Sequence, residues 1–259
     1  MAGLFDTRAP STRSEYTAKD IEVLEGLEPV RRRPAMYIGG TDERALHHLV
    51  AELLDNAMDE AVAGHASFID LELADDGGIT VRDNGRGIPV DPHPKIKNKS
   101  ALEVILTTLH AGGKFTNKVY QTAAGLHGVG LSVVNALSER LVVEVARDKK
   151  LWRQSYKCGE PDGPLKNIGT IKNRRGTSVT CYPDPKIFPN NIQFRADLLY
   201  RMARSKAYLF RGIEIRWRCH NKWIQNDAAT PSKATLTFPG GLKDFLLIET
   251  GNREMVTSI

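Results

Sequence analysis

The sequence predicts an α/β two-layer sandwich, in which helices cover one face of a mixed, mostly antiparallel sheet. Apolar residues recur at helical spacing from residue 45 to residue 63. Two alternating segments, FIDLELA and ITVRD, flank the turn residues DDGG, which is typical of a β-hairpin. Strand-like segments dominate after residue 140, and a further amphipathic helix lies among them. Helices in one group and strands in another indicate the two-layer arrangement.

The composition is that of an ordinary soluble protein. The 259 residues, 41% hydrophobic and 26% charged, suffice for one large domain or two modest ones. No stretch approaches the roughly 18 apolar residues of a membrane span. The polar N-terminus lacks an apolar signal core, and Cys158, Cys181 and Cys219 are far apart and odd in number, so we expect free thiols in the cytoplasm. The net charge of +5 permits contact with nucleic acid without demanding it.

The first elements are predicted as follows. Residues 1–15 show no periodicity and are expected to form a flexible arm, while no linker divides residues 16–259, which are expected to form one domain. The segment IEVLEGL predicts a short helix, and RRRPAMYIGG predicts an irregular basic segment. The helix over residues 45–63 can be capped by Thr41 or Asp42 and ends at Gly64.

The later elements follow from local patterns. Ser100 and Glu103 form a capping box that opens a helix, LEVILTTLH, which the glycines at 112 and 113 are expected to end. Residues 114–130 predict a long loop containing glycine, and LSVVNALS predicts a helix. Strands are then predicted for LVVEVAR, LWRQSYK and TSVTCYP, a helix for residues 193–209, and late strands for IEIRWRC and TLTF.

The polar face of the first long helix has an unusual composition. His48, Glu52 and Asn56 stand four residues apart and therefore line one ridge. Asp55, Asp59 and Glu60 add acidic groups, and no Lys or Arg occurs between residues 45 and 64. Clustered acids beside an amide and an imidazole suit a metal ion, a polarised water, or both. The alternative is an acidic face exposed to solvent.

The segment DNGRGIP, residues 83–89, follows a predicted strand directly. Asp83 therefore lies where the strand stops, and Gly85 and Gly87 allow a ligand to approach the backbone closely. Pro89 then fixes a turn. A carboxylate at a strand end beside bare backbone suits the recognition of a donor on a flat ligand. The alternative is an ordinary surface turn.

Two further segments add weaker signals. The glycines of GLHGVG, residues 125–130, precede a predicted helix and can expose N–H groups to phosphate, although a hinge is the alternative. The spacing differs from the dinucleotide-binding pattern, and no Walker-type phosphate loop occurs in the sequence. Thr177, in RRGTSVT, begins a strand and can hydrogen-bond a ligand, although a β-turn entry is the favoured explanation for Thr177 taken alone.

Together these segments resemble a known ATPase domain. ELLDNAMDEA, DNGRGIP, LHAGGKF and GLHGVGLSVVNALS are similar in kind and order to the GHKL domain of gyrase B subunits, topoisomerase IV B subunits, ninety-kilodalton heat-shock chaperones, histidine kinases and MutL proteins. VLEGLEPVRRRPAMYIGGTD and HAGGKF resemble the type II topoisomerase branch. IEVLEGLEPVRRRP and FPGGLKDFL favour its topoisomerase IV members over gyrase. The resemblance covers about residues 16–259.

The resemblance implies a role for each residue of the predicted pocket. It makes Glu52 the general base for the water that attacks the γ-phosphate, and His48 the group that holds or polarises Glu52. Asn56 is implied as the protein ligand of Mg²⁺. Asp83 is implied to accept a hydrogen bond from the exocyclic amine of adenine, and Thr177 to support the adenine through a water.

Other positions are implied to surround the nucleotide. Gly87, Ile88 and Pro89 would flank the base, and Arg86 would stack or pair at the mouth of the pocket. The lid and phosphate cradle would consist of Lys114, Ala124, Gly125, Leu126, His127, Gly128, Val129 and Gly130. Tyr16 would reach the nucleotide of a second protomer, and Arg153 lies where the family contacts aminocoumarin inhibitors, together with Asp83.

The family pattern also implies cofactors and partners. These are ATP and Mg²⁺, double-stranded DNA, the topoisomerase A subunit in a heterotetramer of two A and two B subunits, and an ATP-dependent homodimer formed through the N-terminal arm. The chain is expected to be the N-terminal nucleotide-binding fragment, without the second domain whose lysine touches the γ-phosphate. Ala35 replaces a usual glycine, and Ala123 and Ala124 replace part of a Ser-Gly-Gly, so a less free lid is expected. The remaining alternatives are a gyrase B subunit and a nucleotide-gated clamp or chaperone.

Overall fold

The fold is that of a computed structural model, which describes residues 17–18, 21–112, 128–189, 191–224, 229–251 and 253. The arm at 1–15, Tyr16, Lys114 and the segment 124–127 lie outside the described residues.

A single mixed sheet forms one layer. Its nine strands in the described residues are β1 (Phe68–Leu73), β2 (Ile79–Asp83), β3 (Ser138–Arg147), β4 (Lys150–Lys157), β5 (Glu160–Pro161), β6 (Lys166–Thr170), β7 (Gly176–Pro183), β8 (Glu214–Cys219) and β9 (Lys233–Leu236). Their order is β5-β4-β3-β7-β2-β1-β8-β9, and β6 pairs with β4. β1 and β8 are parallel, whereas the other described pairs are antiparallel. The predicted mixed, mostly antiparallel sheet is confirmed.

Helices form the second layer. They are α1 (Glu28–Arg32), α2 (Ala35–Ile38), α3 (Glu43–Val62), α4 (Ala101–Thr107), α5 (Gly130–Ala136), α6 (Ala196–Leu209) and α7 (Leu242–Thr250), with a short 3-10 helix at Asn221–Trp223. Helix α3 packs over β1, β2 and β7, α5 packs over β3, and α6 packs over β8 and β9. The strand residues beneath them, such as Leu71, Val81 and Trp217, are buried. The predicted two-layer sandwich is confirmed.

The other face of the sheet has no helix over it among the described residues. Side chains alternate between the two faces of a strand. Arg82, Ser178, Glu144 and Arg153 are paired across β2, β7, β3 and β4, and therefore share this second face. Each of them retains solvent exposure, unlike the buried Val81 and Val179 in the neighbouring row. We call this surface the open face.

Helix α3 is positioned by its ends and its apolar stripe. The side chain of Asp42 accepts a hydrogen bond from the backbone N–H of Ala45 at 2.9 Å, so Asp42 and not Thr41 is the cap. Leu46, Leu49 and Leu53 are at most 2% exposed, and burial of such a side chain contributes roughly 1.5–3 kcal/mol. This packing fixes the rotation of the helix, and hence the direction of its polar ridge.

The predictions for residues 21–40 were wrong. Residues 21–25 have no helical structure, and Gly26 at φ 59° separates them from α1. Helix α1 instead begins beside Pro29, whose fixed φ suits the first turn. The segment predicted as irregular contains the rest of α1 and all of α2.

The helix opened by Ser100 is shorter than predicted. Ser100 Oγ accepts from the Glu103 N–H at 3.1 Å, as the capping box requires. The helix ends at Thr107, whose hydroxyl donates to the carbonyl of Glu103 at 2.8 Å, and Thr108 is already extended. The chain therefore leaves the helix before Gly112, and side-chain competition at the threonines explains the early end.

Helix α6 also differs from its predicted bounds by a few residues. Helix α6 starts at Ala196 and not at 193, because Arg195 is extended. The sequence reasoning missed α7, β5 and β6, which are short or exposed and have no strong pattern.

Candidate active site

The polar ridge of α3 faces the start of α5. His48 Nε2 lies 3.1 Å from Glu52 Oε1, so the predicted pair is in contact. A Cβ placed on Gly130 would lie only 2.2 Å from Glu52 Oε2, which makes glycine the one residue that fits there without displacing Glu52. Asn56 follows one turn later and is half-buried. The imidazole of His48, the carboxylate of Glu52 and the amide of Asn56 thus line one surface. Gly130, the first residue of α5, lies at the edge of this surface.

The acidic neighbours of Glu52 are placed differently. Lys206 Nζ on α6 donates to Asp55 Oδ1, which ties α3 to α6. Asp59 is 1% exposed and lies inside the helical layer. Glu52 keeps 28% side-chain exposure, so of these carboxylates it is the one best placed to meet a bound water.

Asp83 is a buried carboxylate at the end of β2. It is 3% exposed, and its Oδ1 accepts from the N–H of Gly85 at 2.7 Å and of Thr177 at 3.4 Å. Burial raises the pKa of Asp83 to about 6, although these two N–H donors favour the charged form. Both hydrogen bonds end on Oδ1 in the described part of the chain, which leaves Oδ2 to receive a donor from a ligand.

Bare backbone surrounds this carboxylate. A Cβ on Gly85 would lie 2.8 Å from Asp83 Oδ1, and one on Gly176 would lie 2.1 Å from the Asp83 carbonyl oxygen. Gly87 has φ 77°, and a Cβ there would press on Val145 at 3.0 Å. Glycine is thus required at each position by close approach or by backbone conformation.

Two other contacts organise the segment after Asp83. Thr177 is 4% exposed, and its Oγ1 accepts from the N–H of Ile88 at 3.1 Å. Arg147 Nη1 donates to the carbonyl of Gly87 at 3.0 Å. Thr177 and Asp83 are therefore brought together as predicted, and Ile88 is half-buried beside them, whereas Pro89 is exposed.

Arg86 pairs with an acid of α3. Its Nη2 lies 2.7 Å from Glu60 Oε1, while its Nε and backbone N–H each lie 3.1 Å from Glu60 Oε2. Burial by itself would raise the pKa of Glu60, but the hydrogen bonds from Arg86 outweigh it and the pKa is lowered. The predicted role of Arg86 at the mouth of the pocket stays a prediction. The pair joins the end of α3 to the segment after β2.

The glycine segment is only partly described. Gly128 has φ 62°, Val129 is the residue before α5, and Gly130 opens it. Ala124, Gly125, Leu126 and His127, like Lys114 and Tyr16, lie outside the described residues, and their predicted roles stay predictions.

The prediction for Arg153 was wrong. Arg153 is directly opposite Glu144, which is opposite Ser178, so its side chain lies on the open face and not on the face of Asp83. Arg147, which contacts Gly87, is the arginine on the pocket side. Sequence reasoning missed Arg147 because side-chain parity depends on strand register, and no local motif marks that residue.

The comparisons with known proteins agree with this geometry. Residues 41–187 match the family described as histidine kinase-, DNA gyrase B-, and HSP90-like ATPase. The match covers more than half of the chain, and the chain belongs to this family of ATPase domains.

Within the family, the chain is similar to the B subunits of type II topoisomerases. It is 57% identical over 251 residues to the B subunit of DNA topoisomerase 4 from Caulobacter vibrioides (97% of this chain, 36% of that protein). It is 59% identical over 233 residues to the corresponding protein of Rickettsia conorii (90% and 35%). The B subunit of DNA gyrase from Thermotoga maritima is 48% identical over 232 residues (90% and 35%). The chain therefore spans about a third of the length of these relatives.

A solved structure supports the fold. The 43K ATPase domain of Thermus thermophilus gyrase B, in complex with an aminocoumarin, superposes with a TM-score of 0.76 at 40% identity, over 90% of this chain and 57% of that one. In the parts of the chain that the structure describes, no helix combines the length and apolar character needed to cross a bilayer.

The residues present fit a nucleotide. The glycines at 85, 87 and 176 let the chain pack closely around Asp83, and Asp83 Oδ2 can accept a hydrogen bond from a ligand. No group of three His, Cys, Asp or Glu side chains among the described residues could hold a metal by itself. An ion held by Asn56 would therefore take its remaining ligands from phosphates and waters, as Mg²⁺ prefers.

Proposed function

We propose that the chain is the ATP-binding and ATP-hydrolysing domain of a topoisomerase IV B subunit, which powers ATP-dependent strand passage, decatenation and relaxation of DNA. The observation that supports this most is the buried carboxylate of Asp83, held among glycines and beside Thr177. The similarity to topoisomerase 4 B subunits, at up to 59% identity, supports the choice of protein.

The adenine would bind at the end of β2. Asp83 Oδ2 accepts from the exocyclic amine, since the two described hydrogen bonds to this carboxylate end on Oδ1. Ile88 and Pro89 flank the base. Thr177 holds the Ile88 N–H and contributes to the adenine side through a water.

The phosphates would lie between the α3 ridge and the start of α5. Glu52 orients the attacking water and accepts its proton, and His48 holds Glu52 at 3.1 Å. Asn56 would hold Mg²⁺, which supplies positive charge at the phosphate oxygens when bound. Residues 124–130 and Lys114 would complete the cradle and lid.

The longer protein would add partners and domains. We infer a cytoplasmic heterotetramer of two A and two B subunits on double-stranded DNA, with residues 1–15 and Tyr16 joining two B subunits when ATP binds. Residues 16–259 form the ATP-binding domain. Aminocoumarins, one of which is bound in the gyrase B structure, would bind at the same pocket beside Asp83 and Arg147.

Calorimetry of the 259-residue chain tests the nucleotide site. ATP should bind at least about tenfold more tightly than GTP, because guanine presents an acceptor where adenine presents its amine. Equal binding of ATP and GTP would contradict the assignment of Asp83.

The alternative is a gyrase B subunit, which has less support because the identity to the Thermotoga protein is lower, at 48%. The full-length protein assembled with its A partner separates the two candidates. Supercoiling of relaxed DNA indicates gyrase, and decatenation without supercoiling indicates topoisomerase IV.

A further inference from the structure

The open face of the sheet has an excess of basic side chains. The basic residues that share it, by strand register or by position in the loop before β7, are Arg82, Arg140, Arg153, Lys166, Lys172, Arg174, Arg175, Arg216, Arg218 and Lys233. Lys157 of β4 adds a further basic residue, and the acidic residues in its strands are Asp70, Glu72, Glu144, Glu160 and Glu214. Since the net charge of the whole chain is only +5, the positive charge is concentrated on this face.

A groove lies on this face where β1 begins and β2 ends. It has a volume of about 350 Å³ and is lined by Phe68, Arg82, Lys172, Arg174 and Arg175 among others. Its wall on one side is the loop before β7, and its floor is formed by β1 and β2. Basic and aromatic side chains thus surround a cavity with space for a small anionic group.

Arg82 in this groove is incompletely satisfied. Its Nε is buried and has no hydrogen-bond partner in the described part of the chain, and its ion pair with Asp70 is long, at 3.7 Å. Burial, then repulsion by Arg174, lowers the pKa of Arg82, while Asp70 opposes this change. An anion in the groove would relieve that repulsion and supply the missing acceptor.

The other basic groups of the groove have different partners. Arg174 pairs with Glu144 at 3.0 Å, whereas Arg175 donates only to backbone carbonyl oxygens in the described contacts. Lys172 is exposed. The positive charges of Lys172 and Arg175 are therefore not balanced by a carboxylate in the contacts that the structure describes.

We propose that the open face binds the phosphate backbone of duplex DNA, and that the groove between Arg82 and the 172–175 loop receives one phosphate. The arginines of the strands extend from β4 to β8, five strand spacings or roughly 24 Å. A duplex presents a phosphate about every 3.4 Å along each strand, so this span matches about seven base pairs. Guanidinium groups pair with phosphate oxygens in a fixed bidentate geometry.

Other polyanions fit this surface less well. Single-stranded nucleic acid is bound through exposed aromatic platforms, but Phe68 is covered by Arg216, whose guanidinium lies 3.9 Å from the ring centre. Protein interfaces have an apolar centre, whereas Thr80, Ser178 and Thr180 occupy the centre of this face. The choice of DNA as the polyanion rests on the proposed function, but the charge distribution does not.

Fluorescence anisotropy with a labelled duplex of about 20 base pairs, roughly three times the proposed footprint, tests the proposal without nucleotide. The variant Lys172→Ala with Arg174→Ala removes two charges from the groove, and Lys186→Ala with Lys243→Ala removes two exposed charges elsewhere. The groove pair should weaken binding about tenfold at low salt and reduce the slope of log K against log salt by about 1–2. The control pair should change affinity less than about twofold.

Three outcomes would overturn the proposal: an equal loss in both pairs, no binding of duplex by the wild type, or binding of polyglutamate with the same sensitivity in place of DNA. Arg153→Ala, at an exposed position of the open face, repeats the test if the groove pair lowers the melting temperature. ATP binding is measured in every variant. If the wild type does not prefer ATP over GTP but the DNA-binding results are as expected, only the proposed function is refuted. If the wild type prefers ATP but the DNA-binding results are not as expected, only the DNA surface is refuted.

Discussion

Burial of Asp83 disfavours its charged form more than its hydrogen bonds favour it. Asp83 is 3% exposed, and burial raises its pKa from an ordinary 3.8 to about 6. Between these values the folded chain binds a proton that the unfolded chain releases. The raised pKa of Asp83 therefore stabilises the folded chain relative to the unfolded chain at low pH. This contribution is lost as the pH rises through about 6.

Asp83→Asn should consequently stabilise the ligand-free protein at a pH of about 7.5. The amide oxygen can still accept from the Gly85 and Thr177 N–H groups, while the buried charge is removed. We expect the free energy of unfolding to rise by about 1–3 kcal/mol at this pH and to change little near pH 4. Urea unfolding at the two pH values measures this. Destabilisation at the higher pH would show that burial does not strain the carboxylate.

Asp83→Asn should also bind ATP more weakly than the wild type. An amide that presents its NH₂ to the adenine amine leaves a buried donor without a partner, which lowers affinity by about ten- to a hundredfold. Calorimetry above neutral pH checks this, and wild-type affinity should itself fall as the pH drops below about 6. ATP affinity that is the same in the variant and the wild type would remove Asp83 from the adenine site.

Substitutions of Glu52 and Asn56 should affect ATP hydrolysis and ATP binding differently. Glu52→Ala should leave ATP affinity within a few-fold, but ATP hydrolysis by the full-length protein should fall roughly 10²–10⁴-fold, the usual contribution of a general base. Asn56→Ala should lower both ATP affinity and ATP hydrolysis, because the proposed Mg²⁺ site loses its protein ligand. Both are compared at saturating Mg²⁺. Near wild-type turnover by Glu52→Ala would exclude Glu52 as the base; Asp55 is then a poor substitute, because Lys206 occupies it.

The contact between two helices sets the position of Glu52. Because a Cβ at Gly130 would lie 2.2 Å from Glu52 Oε2, Gly130→Ala should displace the carboxylate and break its contact with His48. Alanine favours a helix over glycine by about 1 kcal/mol, so a loss of stability is not expected from propensity. We expect hydrolysis to fall at least about tenfold with the melting temperature nearly unchanged.

Gly40→Ala is the control for Gly130→Ala, at a glycine that lies outside both α3 and α5. Its Cβ would meet only Asp42, at an ordinary 3.7 Å, and should leave hydrolysis unchanged. Equal activity of Gly130→Ala and Gly40→Ala would show that the approach of α5 to α3 does not position Glu52.

Local patterns predicted the elements whose formation is decided locally. The stripe of α3, the hairpin of β1 and β2 and the cap at Ser100 depend on neighbours within a few residues, and all three were confirmed. The side of the sheet on which Arg153 lies was predicted wrongly. That side depends on the register of β4 against β3 and of β3 against β7, which no single segment contains. The roles of the pocket residues came from family resemblance, and the pairing of Glu60 with Arg86 joins segments that sequence spacing cannot relate.

The whole sheet depends on a pairing outside the matched family region. Residues 41–187 match the ATPase family, but β1 is flanked on one side by β8, which lies beyond them. A chain that ends at residue 189 would keep Glu52, Asp83 and Thr177, yet it would expose the edge of β1 and lose the buried Trp217. We expect it to aggregate and fail to bind ATP in calorimetry.

A chain that ends at residue 241 is the control for this truncation. It lacks only α7 and the residues after it, and α7 contains no buried residue. It should remain folded and bind ATP. A well-folded, ATP-binding chain that ends at residue 189 would show that β8 is dispensable.

The pairing of β1 with β8 also bears on the order in which the protein is made. Ile69 pairs with Ile215, so every pocket residue is synthesised before the strand that completes the sheet beside β1. Contacts between residues so distant in sequence slow folding, because a long loop must close first. During synthesis the half-made domain therefore exposes a hydrogen-bonding strand edge, and the nascent chain should require protection by chaperones until residue 219 has emerged.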